Sequence, residues 1–354
     1  MSETKPEKQP DEFELISRLS AKLPTGDSVV VGAGDDCAVI DAGVPDQWQL
    51  HKTDAVVEGV HFTPDAAPQQ VGHKALGRAL SDIAAMAGRP IAAVVSVALP
   101  RSWHGEPAQR LPSGLAGLAR ETGVALAGGD TTSTDGPLVI SVTVIGESPP
   151  GGPVLRNGAQ PGDRVLVTGH LGGSLDGHHL DFTPRLAEAV ALLESGGLHA
   201  MIDISDGLAT DLHHLLQASG VGARLSATDV PLNQLTERTR DGRTRLAHAI
   251  ADGEDFELLA TVTPDIAARL IADPPFETPL TDIGQITQGS GLAMQMPDGR
   301  DVPLSVGYHS VAVVIRDQIA RTPVEQSFVN STAQQLEFLV YFQLENVSYR
   351  FDNS

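Results

Sequence analysis

Aspartates recur in this chain beside Gly, Ser or Thr at the edges of apolar runs: Asp35 and Asp36 in GDDCA, Asp54 in TDAVVEGVHF, Asp82 in SDIAAM, Asp130 in GGDTTS, and Asp203 and Asp206 in IDISDG. Adjacent carboxylates such as Asp35 and Asp36 repel one another, and solvation or a cation must offset the repulsion. Hard divalent cations prefer oxygen ligands, and Mg²⁺ takes a few carboxylates together with water and substrate phosphates. Strand or helix ends carrying these residues would project carboxylates into one cleft, a pattern that suggests several metal ions holding a polyphosphate. Taken singly, each Asp has the plainer reading of a turn residue or helix N-cap. No GxxxxGK(S/T) stretch occurs, which closes the P-loop route to a nucleotide. The GGD turn at 128–130 could still offer backbone N–H groups to phosphate. His61 in EGVHF follows an expected strand, where a lone His is more often structural than a ligand. Glu254, Asp255 and Glu257 in DGEDFELL read as a charged turn entering a sheet. The His pairs at 178–179 and 213–214 have no matching zinc-ligand spacing and read as helix-surface residues.

Composition bounds what these residues can serve. At 354 residues and 41% apolar, the chain can bury a full core and is expected to form two domains. Its 24 Lys+Arg against 45 Asp+Glu give a net charge of −21, which disfavours nucleic acid or an anionic membrane surface as partner. An anionic substrate would need metal ions as intermediaries. The single cysteine, Cys37, excludes an internal disulfide framework and a Cys-based zinc site. No apolar run reaches the ~18 residues of a membrane span, and the opening MSETKPEKQP is polar, so a cytoplasmic protein is expected.

The elements that must position the aspartates follow from periodicity. Residues 1–10 read as a disordered leader, and DEFELISRLSAKL as a short amphipathic helix with Asp11 as N-cap. SVVVGAGDDCAVI and WQLHKTDAVVEGVHF read as strands, QQVGHKALGRALSDIAAMAG as a helix closed by Gly88 and Pro90, and IAAVVSVALP as a buried strand. A second helix leads to VALAGGDTTS and the strand LVISVTVIGE, so the first domain, 11–149, mixes strands and helices. The Pro- and Gly-dense stretch SPPGGPVLRNGAQPGD marks the boundary to a second domain over 150–318. Helices are expected there in TPRLAEAVALLESG and DGLATDLHHLLQASG, and strands near GARLSAT, FELLATV and LTDIGQIT. Residues 319–354 form an atypical, glycine-free tail to which no function is assigned.

In order along the chain, GAGDDCAVI, KTDAVVEGVHF, KALGRALSDIAAMAGRP, GGDTTS, LRNGAQPGDRVLVTG, IDISDGLATDL and GEDFELL resemble thiamine-monophosphate kinase across residues 13 to about 315. Its superfamily includes aminoimidazole ribonucleotide synthetase and selenophosphate synthetase. The resemblance implies an α/β, two-domain aminoimidazole ribonucleotide synthetase-like fold, with an N-terminal mixed-sheet domain that dimerises through its strands, a C-terminal α/β domain and a site in the cleft between them. It implies transfer of the γ-phosphoryl of ATP to thiamine monophosphate, with several Mg²⁺ ions, by a homodimer. By motif, the implied Mg²⁺ ligands are Asp35 or Asp36, Thr53, Asp54, Asp82, Asp130, Asp203 and Asp206. The implied ATP contacts are Gly129, Asp130, Arg156 and Ser205, and the implied thiamine-side contacts are His61, Glu254 and Tyr308. Asp130, Arg156 and Asp206 would carry the catalytic charge balance.

Three features depart from the family pattern. Lys52-Thr53-Asp54 stands where the family usually reads STD, HLGGSLDGHHLDF is shorter than usual, and Asp252 stands where the family tends to glycine. The Lys52 ammonium would either substitute for one metal's charge or abolish that metal site. The alternatives are a non-catalytic nucleotide- or thiamine-phosphate-binding homologue, or another ATP-dependent enzyme of the superfamily. Selenophosphate synthetase and the hydrogenase-maturation relative are disfavoured because their reactive cysteines are missing, and a Ca²⁺-binding module because no EF-hand loop occurs.

Overall fold

The computed structural model describes residues 18–20, 22–234 and 241–304, together with the backbone of four short strands between 309 and 326. The leader, most of the expected first helix, Tyr308 and the chain beyond 326 lie outside the described residues.

The first sheet has the order β1-β2-β3-β6-β4-β5. It comprises β1 (Val29–Val31), β2 (Ala38–Val44), β3 (Gln47–Val57), β4 (Arg89–Pro100), β5 (Ala125–Thr134) and β6 (Val139–Glu147). Residues 28–40, expected as one strand, are two: β1 and β2 pair antiparallel, and the GAGDD segment forms the connection between them. Alternation explains the sheet's two faces. Leu50, Val56, Ile140, Val142 and Val144 point into a core under two helices, α1 (Pro68–Ala85) and α2 (Glu106–Thr122). The opposite face is open, and Val94 there is 42% exposed, so β4 is not the wholly buried strand expected. Nor is GGD a turn: Gly128, Gly129 and Asp130 lie inside β5, which pairs parallel to β4 with Ser96 opposite Asp130. A Cβ at Gly129 would stand 1.7 Å from the Val95 carbonyl oxygen, so glycine permits this strand pairing.

The second sheet has the order β13-β12-β9-β11-β7-β10-β8. Its strands are β7 (Arg164–Thr168), β8 (Leu198–Asp203), β9 (Gly222–Ser226), β10 (Leu258–Val262), β11 (Leu280–Thr287), β12 (Gly291–Gln295) and β13 (Asp301–Leu304). Both faces are covered, as the unbroken burial of β10 requires. Helices α4 (Leu208–Ser219) and α5 (Arg245–Ala251) cover one face. Helices α3 (Leu186–Glu194) and α6 (Pro264–Ala272) cover the other. β14 (His309–Val311) pairs with β17 (Val324–Gln326), and β15 (Val314–Arg316) with β16 (Ile319–Arg321).

Helix α1 belongs to both halves. Its buried Val71, Leu76, Leu80 and Ile83 fill the first core, while Ala84 and Ala85 pack with Leu166, Met201 and Leu258 of the second. Its end is set by Ala87 in the left-handed region (φ 53°), one residue before the expected Gly88.

Candidate active site

Where the two sheets face each other across α1, the carboxylates of Asp36, Asp82 and Asp203 converge, with one oxygen of each within 4.8 Å of the others, and all three residues are buried. Each comes from a different element: Asp36 from the β1–β2 connection, Asp82 from α1 and Asp203 from the end of β8. Asp36 Oδ1 accepts a 2.6 Å hydrogen bond from Arg156 Nη2, whereas its buried Oδ2 has no hydrogen-bond partner among the described residues. Asp203 accepts from Ser81 Oγ at 2.6 Å. Burial, then the neighbouring Asp36, pushes the Asp203 carboxyl up to about 7. An orphaned buried carboxylate oxygen beside two further carboxylates fits a divalent cation, whose charge would offset the cost of burying like charges together.

The adjacent Asp35 has a different task. Its Oδ1 accepts from the Asp36 N–H at 2.9 Å and its Oδ2 from the Arg156 N–H at 3.1 Å, which braces the loop against the second domain. Of the two neighbours, Asp36 therefore enters the cluster. Burial, then Asp36, raises the Asp35 carboxyl to about 6. Lys52, on β3, bonds Asp82 Oδ1 at 2.7 Å and lies 3.7 Å from Asp54 Oδ1. Burial disfavours its charge, but Asp82 and Asp54 outweigh that and hold the ammonium protonated well above the usual lysine range.

Other expected site residues stand apart from this cluster. Thr53 is on the open sheet face, its hydroxyl accepting from Thr143 Oγ1 at 3.0 Å. By strand alternation Asp54 therefore points the other way, toward Lys52 and Arg78. Asp130 lies three strands from β3, roughly 14 Å away, and is exposed with Ser96 on the open face. Asp206 is exposed at the turn before α4, where its N–H and that of Ser205 both donate to the buried Asp211 Oδ2 at 2.9 and 3.0 Å.

Beside the carboxylates is a second charged group. Lys74, with no exposed side-chain area, donates to Glu254, to the His61 carbonyl oxygen at 2.5 Å, and lies 2.6 Å from His179 Nδ1. Arg78 Nη1 is 3.6 Å from Glu254 Oε1. Burial works against the Glu254 charge, but His179 and Lys74 hold its carboxyl down to about 2. His61 Nδ1 accepts the Val57 N–H at 3.1 Å, which fixes its tautomer, and burial followed by Arg78 lowers its pKa. His179 is thus a buried interdomain contact in a short 3-10 turn rather than a helix-surface residue. The 252–257 segment is likewise no solvated turn: Asp255 and Glu257 are buried, the latter gripped by Arg185 at 2.6 and 2.7 Å. Asp252 bonds His248 Nδ1 at 2.6 Å.

Lys74, Arg78, Ser81, His179 and Asp211 are the residues that sequence reasoning missed. The first three share a helical face with Asp82 at spacings of four, three and one, a polar stripe inside an otherwise apolar helix. Nothing local marks His179.

Comparison with known proteins decides the family. Residues 34–148 match the profile of AIR synthase related protein, N-terminal domain, and residues 160–296 that of AIR synthase related protein, C-terminal domain. The thiamine-monophosphate kinase of Rhodopirellula baltica is 42% identical over 290 residues, which cover 79% of this chain and 91% of that protein. The chain belongs to the thiamine-monophosphate kinase family. The thiamine-monophosphate kinase of Escherichia coli K12 is 33% identical over 321 residues, 83% of this chain and 95% of that one. Among solved structures, AaThiL complexed with AMPPCP and TMP superposes with a TM-score of 0.72 at 29% identity, over 85% of this chain and 97% of that chain. The α/β two-domain fold is therefore that of the kinase family.

Proposed function

We propose that this kinase transfers the γ-phosphoryl group of ATP directly and in line to thiamine monophosphate, with Mg²⁺ assistance, giving thiamine diphosphate and ADP. A P–O bond forms between an acceptor phosphate oxygen and the γ-phosphorus while the β–γ bridging P–O bond breaks. The acceptor is already anionic at neutral pH, so no strong general base is required; alignment and charge neutralisation remain. The relative complexed with AMPPCP, an ATP analogue, and TMP supports both substrates. The observation that carries the reading is the buried Asp36–Asp82–Asp203 cluster with its orphaned oxygen, assembled from both domains. Mg²⁺ held there would supply the positive charge that two phosphate-bearing substrates need.

The chain's own groups take the remaining roles. Arg156, fixed by Asp36 and reaching from the second domain, is the cation for the transferred phosphoryl group. The Ser205 and Gly129 segments flank the nucleotide. Glu254, held anionic by Lys74 and Arg78, and His61 face the thiamine side, with Tyr308 as a further contact. Asp54 lies beside the cluster across Lys52, whereas Thr53 and Asp130 are on the open sheet face and Asp206 is at the turn before α4, so any metal these three hold is a different one. The protein is proposed to act as a cytoplasmic homodimer, the open sheet face and the exposed edge β5 being the surfaces left for a second copy. Among the described residues no helix is long and apolar enough to cross a membrane.

The test is an assay with ATP, Mg²⁺ and thiamine monophosphate that resolves thiamine diphosphate from ADP. Equal amounts of both products are expected, and Asp203→Asn should lower turnover by roughly 10²-fold, the scale on which single electrostatic groups count, while the circular dichroism spectrum stays unchanged. Nucleotide binding with no thiamine diphosphate would identify a non-catalytic homologue.

A further inference from the structure

One cation of the carboxylate cluster is supplied by the chain itself. The four acids Asp36, Asp54, Asp82 and Asp203 do not meet equivalent partners. Asp36 has Arg156 on one oxygen and, among the described residues, no hydrogen-bond partner on the other, and Asp203 has the Ser81 hydroxyl. On the far side, Asp82 and Asp54 share the Lys52 ammonium at 2.7 and 3.7 Å. Lys52 and Asp54 leave the same face of β3 two residues apart, and Asp82 approaches from α1, so the ammonium closes the gap between strand and helix. A divalent ion placed between Asp82 and Asp54 would compete with the ammonium for Asp82 Oδ1 and for the space between the two carboxylates, and would be repelled by it at close range. At the orphaned Asp36 Oδ2 no cation is hydrogen-bonded among the described residues, Arg156 being held on Oδ1.

We propose that Lys52 is a tethered cation that takes the place of a metal ion between Asp82 and Asp54, so that this chain binds one divalent ion fewer per active site than it would without the ammonium. The inference rests on reading the carboxylate cluster as the metal centre of the kinase. Lys52 is a positioning residue: it acts through Asp82 and Asp54, holding their carboxylates close without requiring an ion to be loaded.

The test counts bound Mn²⁺ by the loss of the free-ion paramagnetic resonance signal, on the full chain with saturating AMPPCP. Lys52→Ser should bind one more Mn²⁺ per chain than the wild type, and Lys52→Arg, which keeps the cation, should match the wild type. Equal counts for folded wild type and Lys52→Ser overturn the proposal. If Lys52→Ser does not fold, the wild type labelled with ¹³C at lysine Cε decides: the Lys52 resonance should keep its shift when Mg²⁺ is added, and its movement to the position of solvent-exposed lysines overturns the proposal. The product assay separates the two readings. Unequal Mn²⁺ counts without thiamine diphosphate would leave the inference standing and remove the kinase reading, whereas thiamine diphosphate with equal counts would do the reverse.

Discussion

Asp255 shows how much one buried group can govern. Its Oδ1 accepts the Gly172 N–H at 3.0 Å, while its buried Oδ2 has no partner among the described residues. Burial, and among its neighbours first Glu257, raises its carboxyl to about 8. The unfolded chain releases that proton near the ordinary value of 3.8, so between about pH 4 and 8 the folded chain binds more protons. Stability must therefore fall as pH rises through this window. Asp255→Asn keeps the acceptor for Gly172 and removes the charge. Thermal melts should find it more stable than the wild type at pH 8, by on the order of a few kcal/mol, with the gap narrowing toward pH 4. Glu254 has the opposite sign. Held down to about 2, it adds stability above pH 4.5 that is lost as pH falls toward 2.

At the scale of elements, α1 carries the site because it can approach its neighbours closely. A Cβ at Gly114 of α2 would stand 1.8 Å from the Gln69 carbonyl oxygen, and one at Gly72 of α1 would stand 2.3 Å from that of Leu111. These two glycines let the helix backbones pack almost in contact. Gly114→Ala should push α2 off α1 at a cost of about 1–3 kcal/mol or more, read by urea unfolding. Gly117, in the same helix with open space around it, provides the control. Gly117→Ala should stabilise by about 0.5–1 kcal/mol. The existence of α1, α3 and α4 was legible in the sequence because their apolar residues recur at helical spacing. The split of residues 28–40 into two strands was not, since the periodicity of a strand does not reveal where a glycine-rich connection reverses it.

For the whole molecule, the site holds the two domains together. Arg156 to Asp36, Ser81 to Asp203 and Lys74 to Glu254 all cross from one sheet's domain to the other. The open face of the first sheet carries Val94, 42% exposed, an apolar side chain that a lone chain leaves wet. Analytical ultracentrifugation should report twice the chain mass of 37.1 kDa. Replacing Val94 by Lys should return the chain to a monomer, because like charges would then oppose each other across the interface.

The sequence by itself determined which residue types were available and in what order. Seven short motifs with recurrent aspartates, no P-loop and a strongly acidic balance pointed to metal-assisted handling of a polyphosphate on a two-domain α/β fold. These properties are local, and spacing along the chain records them. Only the tertiary structure decided which aspartates meet. Thr53 and Asp54 are neighbours in sequence but lie on opposite faces of β3, and Asp35 braces a loop while Asp36 faces the cluster. His179 and Lys74, 105 positions apart, touch. Strand alternation, sheet order and the seating of α1 between two cores set these contacts, and each depends on residues far away in the chain.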